Sequence, residues 1–182
     1  MNSADLIPRY DAPWDASDFL ARCLAANGLA RREGFRFEEV SGLDDFARAI
    51  ADRHDRTPLL CVSDTSDGYI DLVDTPHVRA VKTIFLFMPH AAGDMAARAE
   101  CLRVMRSLFL QLVSALHLNK LSLTMDRVYI DPRISFSEID RYFCASGACA
   151  FFQIAVDTYA DISYDPAVWQ IHPETILKTH AR

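Results

Sequence analysis

The segment of residues 94–118 constrains the fold most, because it predicts a helix with more apolar surface than one neighbouring layer can bury. Its polar side chains recur every three or four residues and so form one narrow stripe: Glu100, Arg103, Ser107, Gln111 and Ser114. Apolar side chains occupy two further faces. One face carries Met95, Leu102, Met105, Phe109, Leu112 and Leu116, and the other carries Cys101, Val104, Leu108 and Ala115.

A helix that covers one side of a sheet needs only one apolar face. The second apolar face of this helix must therefore contact the N-terminal helices or a neighbouring subunit. We identify that second face as a candidate oligomer interface, formed by Cys101, Val104, Leu108 and Ala115.

Residues 81–88 predict a central strand that precedes this helix. Both of its faces are apolar, with Val81, Thr83, Phe85 and Phe87 on one and Ile84, Leu86 and Met88 on the other. A strand with two apolar faces needs cover on both sides of the sheet. Pro89 ends the strand, because proline has no backbone donor for the ladder.

Shorter elements surround this pair. Helices are predicted for residues 15–27, with Asp15 as N-cap, and for residues 43–54, with Ser41 as candidate N-cap. Strands are predicted for residues 35–40, 59–62, 69–73, 121–130, 134–143 and 149–159. The strand of residues 59–62 is expected to turn back into that of residues 69–73, and the last two strands are joined by a turn at residues 145–147.

These elements predict an α+β fold, in which a mainly antiparallel sheet packs against one long helix and N-terminal helices complete the structure. We expect residues 15–163 to form a single domain. An arm of residues 1–14 precedes it, since Pro8 and Pro13 disfavour a helix there. A tail of residues 164–182 follows it and offers Tyr164 and Trp169 as aromatic anchors.

Composition limits the functions that the chain is expected to have. Of 182 residues, 51% are apolar and 24% are charged, which is typical of a globular protein. The net charge is −6 and the longest basic run is Arg31-Arg32, so nucleic-acid binding is disfavoured. The first ten residues lack a secretory signal, and the apolar stretches 84–88 and 108–118 are too short or too polar to span a bilayer. We therefore expect a cytoplasmic protein without membrane contact.

The sequence contains no enzyme signature such as a glycine-rich phosphate loop, HExxH, CxxC or GxSxG. Its five cysteines are odd in number and predict free thiols in a reducing compartment: Cys23, Cys61, Cys101, Cys144 and Cys149. A metal site at Cys144 and Cys149 would need two further ligands. We interpret these two as thiols that face each other across a hairpin, and we expect neither cofactor nor metal.

Histidines and aspartates supply the remaining candidates for a site. His77 and His90 flank the central strand and are the pair considered for a shared catalytic role. His54 and His117 lie near predicted helix C-termini, where the helix dipole favours a cation, and His172 and His180 lie in the tail. The acidic group Asp64, Asp67, Asp71 and Asp74 lacks the ligand register of a calcium loop. Turn formation accounts for Asp64 and Asp67.

The order strand, strand, long helix, strand, strand over residues 58–169 resembles the tail-terminator, tail-completion and neck proteins of tailed bacteriophages. The resemblance rests on the patterns at residues 81–88, 94–118, 128–131 and 151–157, and not on a motif of fixed residues. It implies a structural, non-enzymatic subunit that forms a ring, commonly a hexamer. It also implies tail tube or connector proteins as partners, in the cytoplasm of a bacterial host and in the virion. Residues 35–54 have no counterpart in that pattern.

Two other functions remain open. A small-ligand or enzymatic domain on a ferredoxin-like α+β scaffold would bring at least two of His77, His90 and Cys144 into one pocket. A regulatory interaction module would instead use residues 1–13 or residues 164–182 as a docking peptide.

Overall fold

The structure is a computed structural model that describes residues 14–52, 56–73 and 76–160, together with residues 162, 166 and 167. Its helices are α1 (Ala16–Ala26), α2 (Gly28–Glu33), α3 (Leu43–Ala51) and α4 (Met95–Met125). Its strands are β1 (Arg36–Val40), β2 (Leu59–Ser63), β3 (Asp67–Asp71), β4 (His77–Pro89), β5 (Val128–Ile130), β6 (Phe136–Glu138) and β7 (Gly147–Tyr159). The predicted α+β class is confirmed, with a mostly antiparallel sheet, one long helix and N-terminal helices.

One seven-stranded sheet forms the centre of the fold, in the order β1-β2-β4-β7-β5. Two short strands lie off this path: β3 pairs with β4, and β6 pairs with β7. Every pairing is antiparallel except that of β1 with β2. The expected turn from β2 back into β3 is wrong, because β3 pairs with the N-terminal half of β4 and β2 pairs with the other half.

Strand β4 is longer than predicted and begins at His77. It pairs with β7 over the whole length of both strands, from His77 opposite Tyr159 to Pro89 opposite Gly147. The expected cover on both faces is present over its second half, where residues 84–88 are all buried. On one face Ile84 and Leu86 join the main core beneath α4, and on the other Phe85 joins a second core beneath α3.

Helix α4 continues to Met125, so the predicted strand of residues 121–130 is wrong except at β5. Alternating apolar and polar residues from Leu121 to Met125 imitate the period of a strand. Their burial follows a helix instead, because Leu123 is buried while Leu121 and Met125 are exposed. Within this last part the Thr124 hydroxyl donates to the Lys120 carbonyl, an i−4 bond that a helix provides.

The N-terminal helices cover the side of α4 that the sheet leaves open. Helix α1 forms as predicted, with the Asp15 side chain accepting from the Ser17 backbone N–H at 2.8 Å. Helix α2 was not predicted, because an Asn-Gly pair such as Asn27-Gly28 ordinarily follows the end of a helix. Asn27 instead caps α2, accepting from the Ala30 N–H at 2.9 Å, while its side-chain amide donates to Gln111 of α4 at 2.7 Å.

Helix α3 covers the opposite face of the sheet. Ser41 is not its N-cap; Gly42 occupies that position, and the Ser41 N–H donates to the Asp45 carboxylate at 3.0 Å. Phe46 is fully buried and stacks on Phe85, with ring centroids 4.8 Å apart. Phe143, in the loop that joins β6 to β7, also stacks on Phe46, with ring centroids 6.2 Å apart.

Other predictions differ from the structure or fall outside the described residues. The strand predicted for residues 134–143 is limited to β6, and the residues after it form turns. The arm apart from Trp14, the tail apart from residues 166 and 167, and His54, Asp74, His172 and His180 lie outside the described part of the chain.

We expect Phe46→Ala to lower the free energy of unfolding by about 3–5 kcal/mol, because it removes a fully buried ring from the second core. Leu43→Ala on the same helix is the matched control, since Leu43 is 48% exposed and its truncation should change stability by less than about 1 kcal/mol. Urea denaturation of both variants measures the difference. Equal losses would contradict the placement of Phe46 in this core.

Candidate functional site

Helix α3 covers one end of its sheet face. The other end of that face, along β3, the N-terminal half of β4, the end of β7 and β5, is open to solvent. There the side chains of four neighbouring strands form a depression of about 400 Å³. It is lined by Tyr69, Asp71, Val73, His77, Arg79, Tyr129 and Asp157. The register explains the grouping, because Tyr69 lies opposite Arg79, Arg79 opposite Asp157, and Asp157 opposite Tyr129.

Arg79 lies at the centre of this row and is held by two carboxylates. Its Nη1 donates to Asp157 at 2.8 Å and its Nη2 donates to Asp131. The hydrogen bond to Asp131 raises the pKa of Arg79, and the neighbouring carboxylates act in the same direction. The pKa of Asp131 is lowered, first by the Arg133 backbone N–H and then by Arg79. The guanidinium is thus already neutralised and is a poor anchor for an anionic ligand.

His77 and His90 are not brought together. They lie at opposite ends of β4, a strand of 13 residues, which separates them by about 40 Å at the usual rise of a strand. The His77 ring lies edge-on to Tyr129, with centroids 6.1 Å apart. Any site that used His77 would therefore have to be completed by the side chains of the depression and not by His90.

His90 and Cys144 share the other end of the sheet. The His90 backbone N–H donates to the Ser146 carbonyl at 2.9 Å, and the Cys144 sulfur lies 3.8 Å from the Ser146 hydroxyl. The His90 ring nitrogen Nδ1 lies 2.8 Å from the Ala91 carbonyl oxygen. His90 and Cys144 are thus neighbours through Ser146, whereas His77 is remote from both.

Two members of the acidic group, Asp64 and Asp71, form local hydrogen bonds. Asp64 accepts from the Ser41 hydroxyl at 2.8 Å, and Asp71 accepts from the Val73 N–H at 2.9 Å. Across the described ranges, no group of three or more His, Cys, Asp or Glu side chains could hold a metal ion. Local hydrogen bonding accounts for these carboxylates without a bound cation.

The candidate interface of α4 is buried inside the subunit. Cys101 is 8% exposed, Val104 6% and Leu108 0%, and all three belong to the main core together with Leu20 and Leu24 of α1. The prediction that these three form an oligomer interface is therefore wrong, because the N-terminal helices cover them first. Ala115 is half-buried.

A different set of α4 side chains is exposed. Leu110, Leu118, Leu121 and Met125 are 64%, 79%, 75% and 78% exposed; we call these four residues the α4 stripe. Sequence reasoning missed this stripe, because the helix was expected to end at Leu118. Spacings of four, three and four residues from Ser114 through Leu118 and Leu121 to Met125 are the signal that could have revealed it.

The α4 stripe lies on the helix face that carries Arg103, Ser107 and Ser114, so a polar face becomes apolar towards the C-terminus. The N-terminal helices extend along α4 as far as Gln111, which Asn27 contacts. Leu118 and Leu121, which follow Gln111, are exposed. Among the helices of the described residues, α4 alone is long and apolar enough to cross a membrane by length and composition, and here it packs along the sheet.

No family model matches the sequence, and no curated protein matches it either.

We expect the carboxylate pair around Arg79 to make stability depend on pH. Because the pKa of Asp131 is lowered by folding, its contribution is present above the ordinary aspartate pKa of about 4 and is lost as pH falls through the lower folded value. Asp131→Asn should therefore be less stable than the wild type at about pH 7, and the gap should narrow towards about pH 3. Urea midpoints across this range measure it.

Asp67→Asn is the matched control, because it removes an exposed carboxylate from the neighbouring strand β3. Its difference from the wild type should stay small throughout the range. A gap for Asp131→Asn that did not change with pH would contradict the assigned role of Asp131.

Proposed function

We propose that the protein is a structural assembly subunit that acts by self-association, of the type found in tail terminators and neck proteins of phage or phage-like tails. The observation that carries the proposal is the α4 stripe, four large apolar side chains that are each more than three-fifths exposed. Leu118, Leu121 and Met125 follow one another at spacings of three and four residues and form one exposed apolar patch, whereas Ser114 separates Leu110 from them. Such a patch is typical of an interaction surface, and single exposed leucines are ordinary.

The size of the stripe sets the strength of the expected contact. Full burial of one leucine or methionine side chain contributes about 1.5–3 kcal/mol. Eight such side chains, four from each of two subunits, contribute at most roughly 12–24 kcal/mol, which is of the same order as the roughly 4–15 kcal/mol that association costs. The stripe alone supports weak pairing, and stable assembly requires further contacts, as in a ring where every subunit has two neighbours.

What supports the proposal in the fold is a long helix that lies on a mainly antiparallel sheet; within residues 58–169 three strands, β2 to β4, precede it and three, β5 to β7, follow it, where the pattern of tail-terminator proteins has two on each side. Under this proposal the partners are further copies of the chain and the tail tube or connector proteins. The protein would act in the cytoplasm of a bacterial host and in the assembled particle. No nucleic-acid recognition is proposed, in keeping with the net charge of −6.

The small-ligand alternative is favoured by one observation, the depression around Arg79. Its volume of about 400 Å³ falls within the range of small-molecule sites. It ranks second, because Arg79 is bound by Asp131 and Asp157 and neither His90 nor Cys144 reaches it.

We expect Leu118→Glu and Leu121→Glu to reduce self-association, because each introduces a charge that must be desolvated in the contact. Light scattering coupled to size exclusion, over a range of protein concentrations, measures the average mass. The wild type should show a mass that increases with concentration, and both variants should remain closer to the monomer.

Leu43→Glu is the matched control, since Leu43 is also an exposed leucine, at 48%, but lies on α3. It should associate like the wild type. A wild type that remains monomeric at high concentration would refute the proposal. A protein that stays monomeric at every concentration, and that binds phospholipid vesicles less well after Leu118→Glu, would use the stripe to bind a membrane surface instead.

A further inference from the structure

Two tyrosines lie at opposite ends of the depression around Arg79. Tyr69 on β3 and Tyr129 on β5 end the row of side chains that crosses four strands, and they are 60% and 43% exposed. Three strand spacings separate their Cα atoms by about 14 Å. The His77 ring lies edge-on to Tyr129 and extends the aromatic surface at that end. A ligand in the depression therefore meets an aromatic ring at each end.

The floor between the two tyrosines is polar and held in place. Arg79 donates to Asp157 at 2.8 Å through one nitrogen and to Asp131 through another. The side chains of Arg79 and Asp157 are still 22% and 30% exposed, so both reach solvent. A guanidinium has more N–H donors than these two bonds use, and a carboxylate accepts more than one hydrogen bond. The floor can therefore both donate and accept hydrogen bonds.

The charges in and around the depression balance. Arg133 lies close enough to Asp131 to act on its charge, and the Arg127 guanidinium lies 5.7 Å from the ring centroid of Tyr159, the residue opposite His77. Three carboxylates thus stand beside three guanidinium groups: Asp71, Asp131 and Asp157, with Arg79, Arg127 and Arg133. Neither an anion nor a cation meets a net charge of opposite sign here, which favours a neutral, polar ligand.

We propose that this depression binds a neutral carbohydrate of about the size of a disaccharide. A sugar hydroxyl donates and accepts at once, so it can bond to both the guanidinium and the carboxylate of the floor. The apolar C–H face of a sugar ring packs on an aromatic ring, and Tyr69 and Tyr129 supply one at each end. The span of about 14 Å between them is longer than a single sugar ring. The volume of about 400 Å³ falls within the range of small-molecule sites.

The carbohydrate site is separate from the proposed assembly surface. The α4 stripe belongs to the helix that covers one face of the sheet, whereas the depression lies on the other face, beyond α3. Sugar binding would be a second function of the subunit, and a monomer could perform it. Its test therefore does not depend on self-association.

The test is ¹⁹F NMR of protein in which 3-fluorotyrosine replaces the six tyrosines. Tyr69→Phe and Tyr129→Phe assign the two signals of the site. The probes are maltose, cellobiose, lactose and N,N′-diacetylchitobiose at up to about 50 mM, because an open site should bind with a Kd of roughly 0.1–10 mM. We expect at least one sugar to shift both signals saturably. The signal of Tyr142, which is 82% exposed, should stay unchanged.

Tyr69→Ala should weaken binding of that sugar about 3- to 10-fold, read at the Tyr129 signal, because one of two aromatic contacts is lost. Tyr142→Ala is the matched control and should bind like the wild type. The proposal is overturned if no sugar shifts the two signals, if Tyr142 shifts with them, or if Tyr69→Ala binds as tightly as the wild type.

Sodium phosphate and choline chloride are titrated in parallel. Saturable shifts with either salt, and with none of the sugars, would assign the depression to a charged ligand and equally overturn the proposal. The wild-type titration decides the question even where Tyr69→Ala fails to fold.

Discussion

The pairing of β4 with β7 runs over 13 residues of each strand, from His77 opposite Tyr159 to Pro89 opposite Gly147. Every other strand but one attaches to this pair directly, and β1 attaches through β2. One face of the pair carries Ile84 and Phe152 into the main core beneath α4, and the other carries Phe85 and Cys149 into the core beneath α3. The sheet therefore lies between two layers of helices, because a strand pair that is apolar on both faces needs helices on both sides.

The same pair of strands shows where the helices cease to cover the sheet. Residues 77–83 of β4 are only half-buried. His77 and Arg79 lie on the same sheet face as Phe85, at the end that α3 does not reach, and form part of an open, polar row. Arg79 links β4 to β7 and to the end of β5 through two carboxylates. Ion pairing across strands replaces apolar packing there, which makes this end of the sheet sensitive to acid and leaves it open to solvent.

Much of the fold could be predicted from the sequence, because periodicity reports burial. The alternation of residues 81–88 and the 3.6-residue period of residues 94–118 identified the central strand and the long helix. The alternation from Leu121 to Met125 was misleading, since a short apolar-polar repeat fits both periods until burial distinguishes them. Helix α2 was missed because Asn27 ends one helix and caps the next. The parallel partner of β1 depends on pairing across α3, which no local pattern encodes.

The site was less predictable, because the exposure of a side chain depends on which other elements pack against it. Cys101 and Leu118 are both apolar residues of one helix, yet the first lies in the main core with residues of α1 and the second is 79% exposed. Only the position of the N-terminal helices decides between them. The most direct measurement of the central claim is photo-crosslinking from a benzophenone side chain introduced at position 118. Self-association through the α4 stripe predicts adducts of twice the subunit mass that increase with protein concentration, whereas labelling confined to the same subunit would contradict it.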